Sequence, residues 1–368
     1  MLNRCSSALV PVRHPATRAR GRRPAARAAA TAITAAAALT LGGTAWAAPL
    51  AKHVPNTVIA TISDGIATPE FTSVDPARGV VWVAGPYQAA EIKESTRAII
   101  RTVSLDSYPD TMTIDPLTGN LILGNTDGTV TLLKEATGAQ TEIPVANPVN
   151  SFAEGIGVDI DTGNIYVTDE GAPDHGTTIS VISQQTDSVT DAINDPREAE
   201  AVAVNPGTGT VYVSNLWTGD IIEGSVWVIR EKTNKVIATI PSVGDAPFTM
   251  TVDPVSGKLF AANYFQHSVA VINTRSDTVT GQINTGSGNP DYLAADPVNG
   301  MVYVNDFDSG NVWVISEKTS SVVATIPVPD AAGGIDVDPG RALVYASSDV
   351  GSTAVIQAAP PSLDLRVH

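Results

Sequence analysis

The stretch Ala246–Asn284, APFTMTVDPVSGKLFAANYFQHSVAVINTRSDTVTGQIN, decides the fold. Met250-Thr251-Val252 reads as a short apolar strand, and Asp253-Pro254-Val255-Ser256-Gly257 as the turn that ends it. Pro after the Asp fixes φ, and Gly at the fifth place supplies a left-handed residue, the chemistry of a bulged hairpin. Lys258–Asn263 and Ser268–Asn273 follow as strands across a polar loop, and Thr278–Ile283 as a fourth. Four short strands in one unit make a β-meander with no room for a helix.

The phrase recurs along the chain. Asp75, Asp115, Asp159 (followed by Ile160 instead of Pro), Asn205, Asp253, Asp296 and Asp338 open the turn, at steps of 40, 44, 46, 48, 43 and 42 residues. A period of this size means one supersecondary unit copied many times. A single such sheet cannot bury both of its faces, whereas seven packed radially can. The predicted fold is therefore all-β, a seven-bladed β-propeller of four-stranded antiparallel blades. The ends predict how the ring closes. Asn56–Ile62 (NTVIATI) matches the fourth strands Lys235–Ile240 (KVIATI) and Ser321–Ile326 (SVVATI). The last repeat has Ile335–Val337, Leu343–Ser347 and Thr353–Gln357 but no fourth strand. The N-terminal strand is predicted to complete the last blade and remove an open edge.

Tyr166-Val167-Thr168-Asp169, Tyr212-Val213-Ser214-Asn215 and Tyr303-Val304-Asn305-Asp306 each follow such a turn. They resemble the repeats of the YVTN family of β-propellers, a WD40-like architecture, and the resemblance runs from about Asn56 to Gln357. It implies a propeller from a family whose members are typically exported or surface proteins. Relatives by fold include lactonases and lyases that hold a divalent metal at the channel mouth.

The first 47 residues are different material: seven Arg, no Asp, Glu or Lys, an Ala-rich stretch over Ala28–Leu41, then Ala45-Trp46-Ala47. This reads as a secretory signal over 1–47, with the propeller over 48–359 and a flexible C-terminal tail over 360–368. The expected location is secreted, extracellular or cell-surface after cleavage near Ala47, and Arg22-Arg23 leaves the twin-arginine route open beside the general one. The apolar stretch is shorter than the roughly 20 residues a spanning helix needs, so no membrane span is expected. Cys5 is the only cysteine, so beyond the leader disulfides, thiol catalysis and Cys-bound metals are excluded. The chain carries a formal charge of −16; beyond residue 47, 22 − 7 = 15 basic residues face 38 acidic ones, for −23. Such a surface repels phosphate backbones and anionic headgroups, which argues against nucleic acid as a partner. A monomer is expected.

Aligned on the turn, the position five residues upstream holds Glu70, Asp110, Glu154, Glu200, Phe248, Asp291 and Gly333. Ten residues downstream stand Gly85, Asn125, Asp169, Asn215, Asn263, Asp306 and Ser348. In a propeller both rings fall at one mouth of the channel. One reading is inheritance from an ancestral unit, with Asn and Asp capping their own backbone at strand ends. The other is a hard-cation site, because crowded carboxylates repel and oxygen ligands suit Ca²⁺ or Mg²⁺. Glu70, Glu154 and Asn215 are then the first ligands and Asp169 and Asp306 the next. His175 and His267, in loops that open on the same mouth, are the candidates for a general base. Trp217, Tyr264, Phe265, Phe307 and Tyr87 occupy equivalent loops and give the mouth aromatic surface suited to a sugar, a cation or a peptide. Trp82, Trp227 and Trp313 alternate within strands and are predicted to pack between blades. Two functions follow. The first is a secreted, non-catalytic binding module for a protein, peptide or glycan; the second is a divalent-metal-dependent lactonase or lyase.

Overall fold

A computed structural model describes residues 55–146, 152–170, 177–195, 198–216, 223–328, 333–348 and 350–359. The leader 1–47, the tail 360–368, His175 and Trp217 lie outside the described residues. Among the described residues, 28 strands form seven four-stranded antiparallel sheets, and none is helical. Blade 1 runs Phe71–Asp75, Val80–Gly85, Gln88–Lys93 and Ala98–Ser104, hydrogen-bonded in that order. Blades 2 to 6 repeat it. Blade 7 takes Ile335–Asp338, Leu343–Ser348 and Ser352–Gln357 from the C-terminal end, and Thr57–Ile62 closes it as the fourth strand. Its register runs from Thr57 opposite Gln357 to Ile62 opposite Thr353. The ring is shut as the sequence predicts.

The recurrent turn explains why each blade folds locally. Asp253 Oδ1 accepts the amides of Val255 at 2.7 Å and Ser256 at 3.3 Å, and Asp296 Oδ1 those of Val298 and Asn299 at 3.1 and 3.2 Å. The carboxylate thus satisfies the amides that the reversal leaves open. The fifth residue is left-handed in every blade, and Ala342 takes φ 53° where the others have Gly.

The first strands lie innermost and contact one another in sequence around the ring, blade 7 against blade 1 included. They are Phe71–Asp75, Pro109–Ile114, Phe152–Asp159, Ala199–Asn205, Pro247–Asp253, Pro290–Asp296 and Ile335–Asp338. The core is a set of seams between blades. Tyr166 packs with Val202, Val213 and Ile229 of the next blade, Tyr212 with Met250, Leu259 and Ile272, and Tyr345 with Val81, Val83 and Ile92 across the closure. Their hydroxyls continue the contact. Tyr166 donates to Asn234 Oδ1 at 2.8 Å, and Tyr212 to Asp277 Oδ1 at 3.3 Å. The tyrosine of each YVTN-like segment is therefore a latch into the following blade, contributing on the order of 1.5–3 kcal/mol by burial alone. Trp227 is buried in the Tyr166 seam, and Trp82 and Trp313 are buried in other such clusters.

Candidate functional site at one channel mouth

The upstream ring occupies the wall of the channel. Glu70, Asp110, Glu154, Glu200 and Asp291 are all buried, none more than 7% exposed. For Asp110, Glu154, Glu200 and Asp291 a bulge is the physical reason. The pairing of first and second strands slips between Pro109 and Thr111, Ala153 and Ile156, Ala199 and Val202, Pro247 and Thr249, and Pro290 and Leu293. Each slip encloses the ring position, so its side chain, a carboxylate in four of these blades and Phe248 in blade 5, sits on the extra residue, where a bulge re-aims it. In blade 1 the pairing from Phe71 runs without a slip, and Glu70 is tied by its N–H to Ala84 O at 2.8 Å. The first strands consequently begin earlier than the sequence pattern indicates, at Pro247 rather than Met250 in blade 5.

The downstream ring lies beside it. Asn125, Asp169, Asn215, Asn263 and Asp306 stand opposite Pro109, Ala153, Ala199, Pro247 and Pro290, the residues immediately before the carboxylate position. Both rings therefore share one end of the blades, but they face different tasks. Asn125 Nδ2 donates to Thr129 and Thr131 of its own third strand at 2.9 and 2.8 Å. Asp169 accepts from Thr178 and, at 3.2 Å, from Ser180. Asn263 Nδ2 reaches Val243 O at 3.0 Å and Gln282 Oε1 at 3.2 Å. Asp306 caps its loop, accepting the amides of Asn289 and Asp308 at 2.9 and 3.2 Å and the Ser309 hydroxyl. Asn215 Nδ2 turns back to Val213 O at 3.4 Å.

The five sequence-predicted metal ligands divide between the two rings. Glu70, Glu154, Asp169, Asn215 and Asp306 are distributed over blades 1, 3, 3, 4 and 6, and the oxygens of Asp169 and Asp306 are already committed to hydroxyls and amides. Among the described residues, no three or more His, Cys, Asp or Glu side chains are grouped so that they could hold a metal ion. His267 Nδ1 lies 3.1 Å from Gly288 O, an attachment of the blade 5 loop to the connection into blade 6.

The aromatic groups do come together. Phe248 takes the ring position that carries a carboxylate in five other blades. Its ring centroid lies 5.2 Å from Tyr264 and 5.9 Å from Phe265, and Tyr264 lies 6.2 Å from Phe307. The edge-on angles of 79° and 69° are the favoured quadrupole geometry. Phe265 remains 46% exposed. A second group stands in blades 1 and 2, with Tyr87 at 5.7 Å from Tyr108 and 55% exposed. Tyr108 donates its hydroxyl to Glu70 Oε1 at 2.7 Å. Burial and that carboxylate push the phenol's pKa up, so it stays a donor. The backbone holds these loops in place, Tyr264 N donating to Ala246 O and Phe307 N to Asn289 O. Tyr108 and Phe248 were not among the predicted site residues. The departure of Phe248 from a column that is acidic in five of seven blades was the signal available.

No family model matches the chain, and no curated protein matches it. Solved structures do. A chain of the mitotic checkpoint complex superposes with TM-score 0.70 at 10% identity, covering 88% of this chain and 98% of that one. A chain of the Kuenenia stuttgartiensis hydrazine synthase superposes with TM-score 0.68 at 15% identity, covering 84% and 99%. At these identities the likeness shows the fold, a seven-bladed propeller of WD40-like architecture.

Proposed function

We propose that this protein is an exported, non-catalytic binding propeller that takes a protein or peptide partner carrying basic side chains at the mouth just described. The observation that carries the reading is the pairing of exposed aromatic surface, Phe265 and Tyr87, with buried carboxylates at the same end of the ring. Aromatic faces and carboxylates both favour cations, and the strongly negative chain steers basic partners toward it. The similar chain in the mitotic checkpoint complex belongs to a multiprotein assembly, the use of the ring adopted here. In this reading residues 1–47 are a cleaved export signal, so the N-terminus of the secreted protein follows Ala47.

An array of immobilised peptides, matched in length and differing in charge, tests it. Lysine- and arginine-bearing peptides are expected to bind at low salt and to weaken as salt rises. The double variant Tyr87→Ala/Phe265→Ala is expected to bind about tenfold more weakly and still to melt cooperatively within a few degrees of the wild type, since about half of each side chain is in solvent. Equal binding of acidic peptides, or full retention of binding by the variant, would sink the reading.

A metal titration bears on the same mouth. After chelation, adding Ca²⁺ or Mg²⁺ is expected to leave the melting temperature where it was, because Asp169 and Asp306 already serve their own blades. A rise of several degrees that Glu154→Gln abolishes would transfer the site to metal-dependent lactone or lyase chemistry.

A further inference from the structure

The other end of the blades carries the hairpins between first and second and between third and fourth strands. Glu94, Gln184, Glu231, Thr274, Glu317 and Ala358 share one phase there. Each donates its backbone N–H to the fifth residue of its own blade's Asp-Pro-type turn, namely Gly79, Gly163, Gly209, Gly257, Gly300 and Ala342. Three of these residues are glutamates about 95% buried. Each meets the aspartate that opens the turn of the preceding blade: Glu94 with Asp338, Glu231 with Asp159, Glu317 with Asp253. Those aspartates are buried too, at 1% exposure or less.

Two ionised carboxylates cannot share a desolvated seam at hydrogen-bonding range; one proton held between them turns repulsion into an acid–carboxylate hydrogen bond. We propose that the 7/1, 3/4 and 5/6 seams are each fastened by such a shared proton, and that the ring loosens at these three seams when the proton leaves for solvent. The surroundings differ from seam to seam, but all three keep the pair. At 7/1, Arg341 Nη1 lies 2.9 Å from Glu94 Oε2 and 2.5 Å from Asp338 Oδ2, with the Tyr345 hydroxyl on Glu94 and Arg97 beyond it. At 3/4, Asp161 and Lys232 flank Glu231, and Tyr166 Oη donates to the Glu231 carbonyl at 3.2 Å. At 5/6, Ser256 and Lys258 face Glu317, Lys258 Nζ donating to the Glu317 carbonyl at 2.5 Å. The pair there lines a cleft of about 350 Å³ with Lys318 and Asn299.

The remaining seams are internal controls. The same two positions hold Asn205 and Thr274 at 4/5, Asp115 and Gln184 at 2/3, and Asp296 and Ala358 at 6/7. At 1/2 the two positions hold Asp75 and Glu135, but Glu135 is only half-buried, its N–H goes to Asn120 Oδ1 at 3.2 Å, and Asp75 pairs with Arg78 of its own turn at 2.7 Å.

Burial first and the neighbouring aspartate next push Glu94 up to about 8, and burial likewise pushes Glu317 up to about 8 and Glu231 to about 7. A folded pKa above the unfolded value means the folded chain holds the proton. The stabilisation is complete below the ordinary glutamate range and is lost as pH climbs through 7 to 8. Asp336, which accepts the amides of Val74 and Val337 at 2.8 Å, is pushed up to about 7 by burial and titrates in the same window. The comparison with a variant removes its share.

The test uses the full chain and the triple variant Glu94→Gln/Glu231→Gln/Glu317→Gln, whose amides stay neutral and still donate. Unfolded by guanidinium near pH 6, the wild type is expected to release about three more protons than the variant. Its melting temperature is expected to drop between pH 5 and pH 9 by roughly 5–10 °C more than the variant's. Equal proton release and parallel pH profiles would overturn the proposal. Should the triple variant fail to fold, ¹³C-carboxyl titration of the folded wild type decides. Three glutamates with midpoints near 7 to 8 support the shared protons, and glutamates that all titrate near 4 to 5 refute them.

Discussion

Deleting Thr57–Ile62 is expected to abolish the cooperative thermal transition, the largest loss expected from any short change in this chain. The strand is the outermost of blade 7, yet it is far from dispensable. Asn56 N donates to Gln357 O at 2.7 Å, and the ladder below it runs to Ile62 opposite Thr353. Ile62 is 5% exposed and packs with Val355, Tyr345 and Val83, while Ile59 and Ala60 lean on the same cluster. Removing Ile62 alone forfeits about 1.5–3 kcal/mol of burial, and each lost ladder bond about 1 kcal/mol more. Together these approach the ~5–15 kcal/mol that keeps a typical domain folded. The deletion also bares the edge of Ser352–Gln357, an open template for another chain. Circular dichroism melts with light scattering should show a broad, early loss of structure with aggregation. Val58→Ser, at a position 36% exposed on the same strand, should melt like the wild type. A deleted chain that still melts cooperatively within a few degrees of the intact one would show that the closing strand stabilises nothing.

That strand was readable because its neighbours in the repeat spell the same words. The turn was readable for a physical reason: an Asx acceptor, a fixed φ and a left-handed fifth residue are all properties of single side chains and a short backbone segment. Even Ala342, with no Gly to mark it, keeps φ at 53°. Depth in the wall was not readable. Whether Glu154 rims the mouth or lies inside the wall depends on two residues opposing one across the strands, and the bulge between Ala153 and Ile156 leaves no trace in residue type. The direction of Asp169 was hidden likewise, since Thr178 and Ser180 become its donors only once the third strand is in register. The carboxyl pairs at the far end were invisible for a third reason. Asp159 and Glu231 belong to successive blades, and their meeting is fixed by the angle between sheets.

The second large effect concerns that angle. Gly155→Ala should lower stability by about 2–4 kcal/mol, an overpacking penalty plus a lost hydrogen bond, which corresponds to roughly 5–10 °C in melting temperature. Gly155 follows Glu154 in the innermost strand of blade 3, where the two inner strands approach closely. Its N–H donates to Thr168 Oγ1 at 2.7 Å, and that hydroxyl donates onward to Glu200 O of blade 4 at 2.6 Å. One threonine thus bridges two blades. A Cβ on Gly155 would stand 2.8 Å from Thr168 Oγ1 and 3.0 Å from Ala201 Cα, and would drive into the Glu200 carbonyl. Two of those neighbours are backbone of the next blade, which cannot swing aside as a flexible side chain can, so the seam must open. The contrast is Gly281, within the outer strand Thr278–Asn284, where a Cβ meets nothing within 4 Å. Gly281→Ala removes only the entropic cost of glycine in a strand and should raise stability by about 0.5–1 kcal/mol. Opposite signs from the same methyl group, read by thermal melts of the two variants, would show that blade-to-blade approach at the inner strands governs the ring. Equal effects would mean that the seam yields as freely as the outer edge.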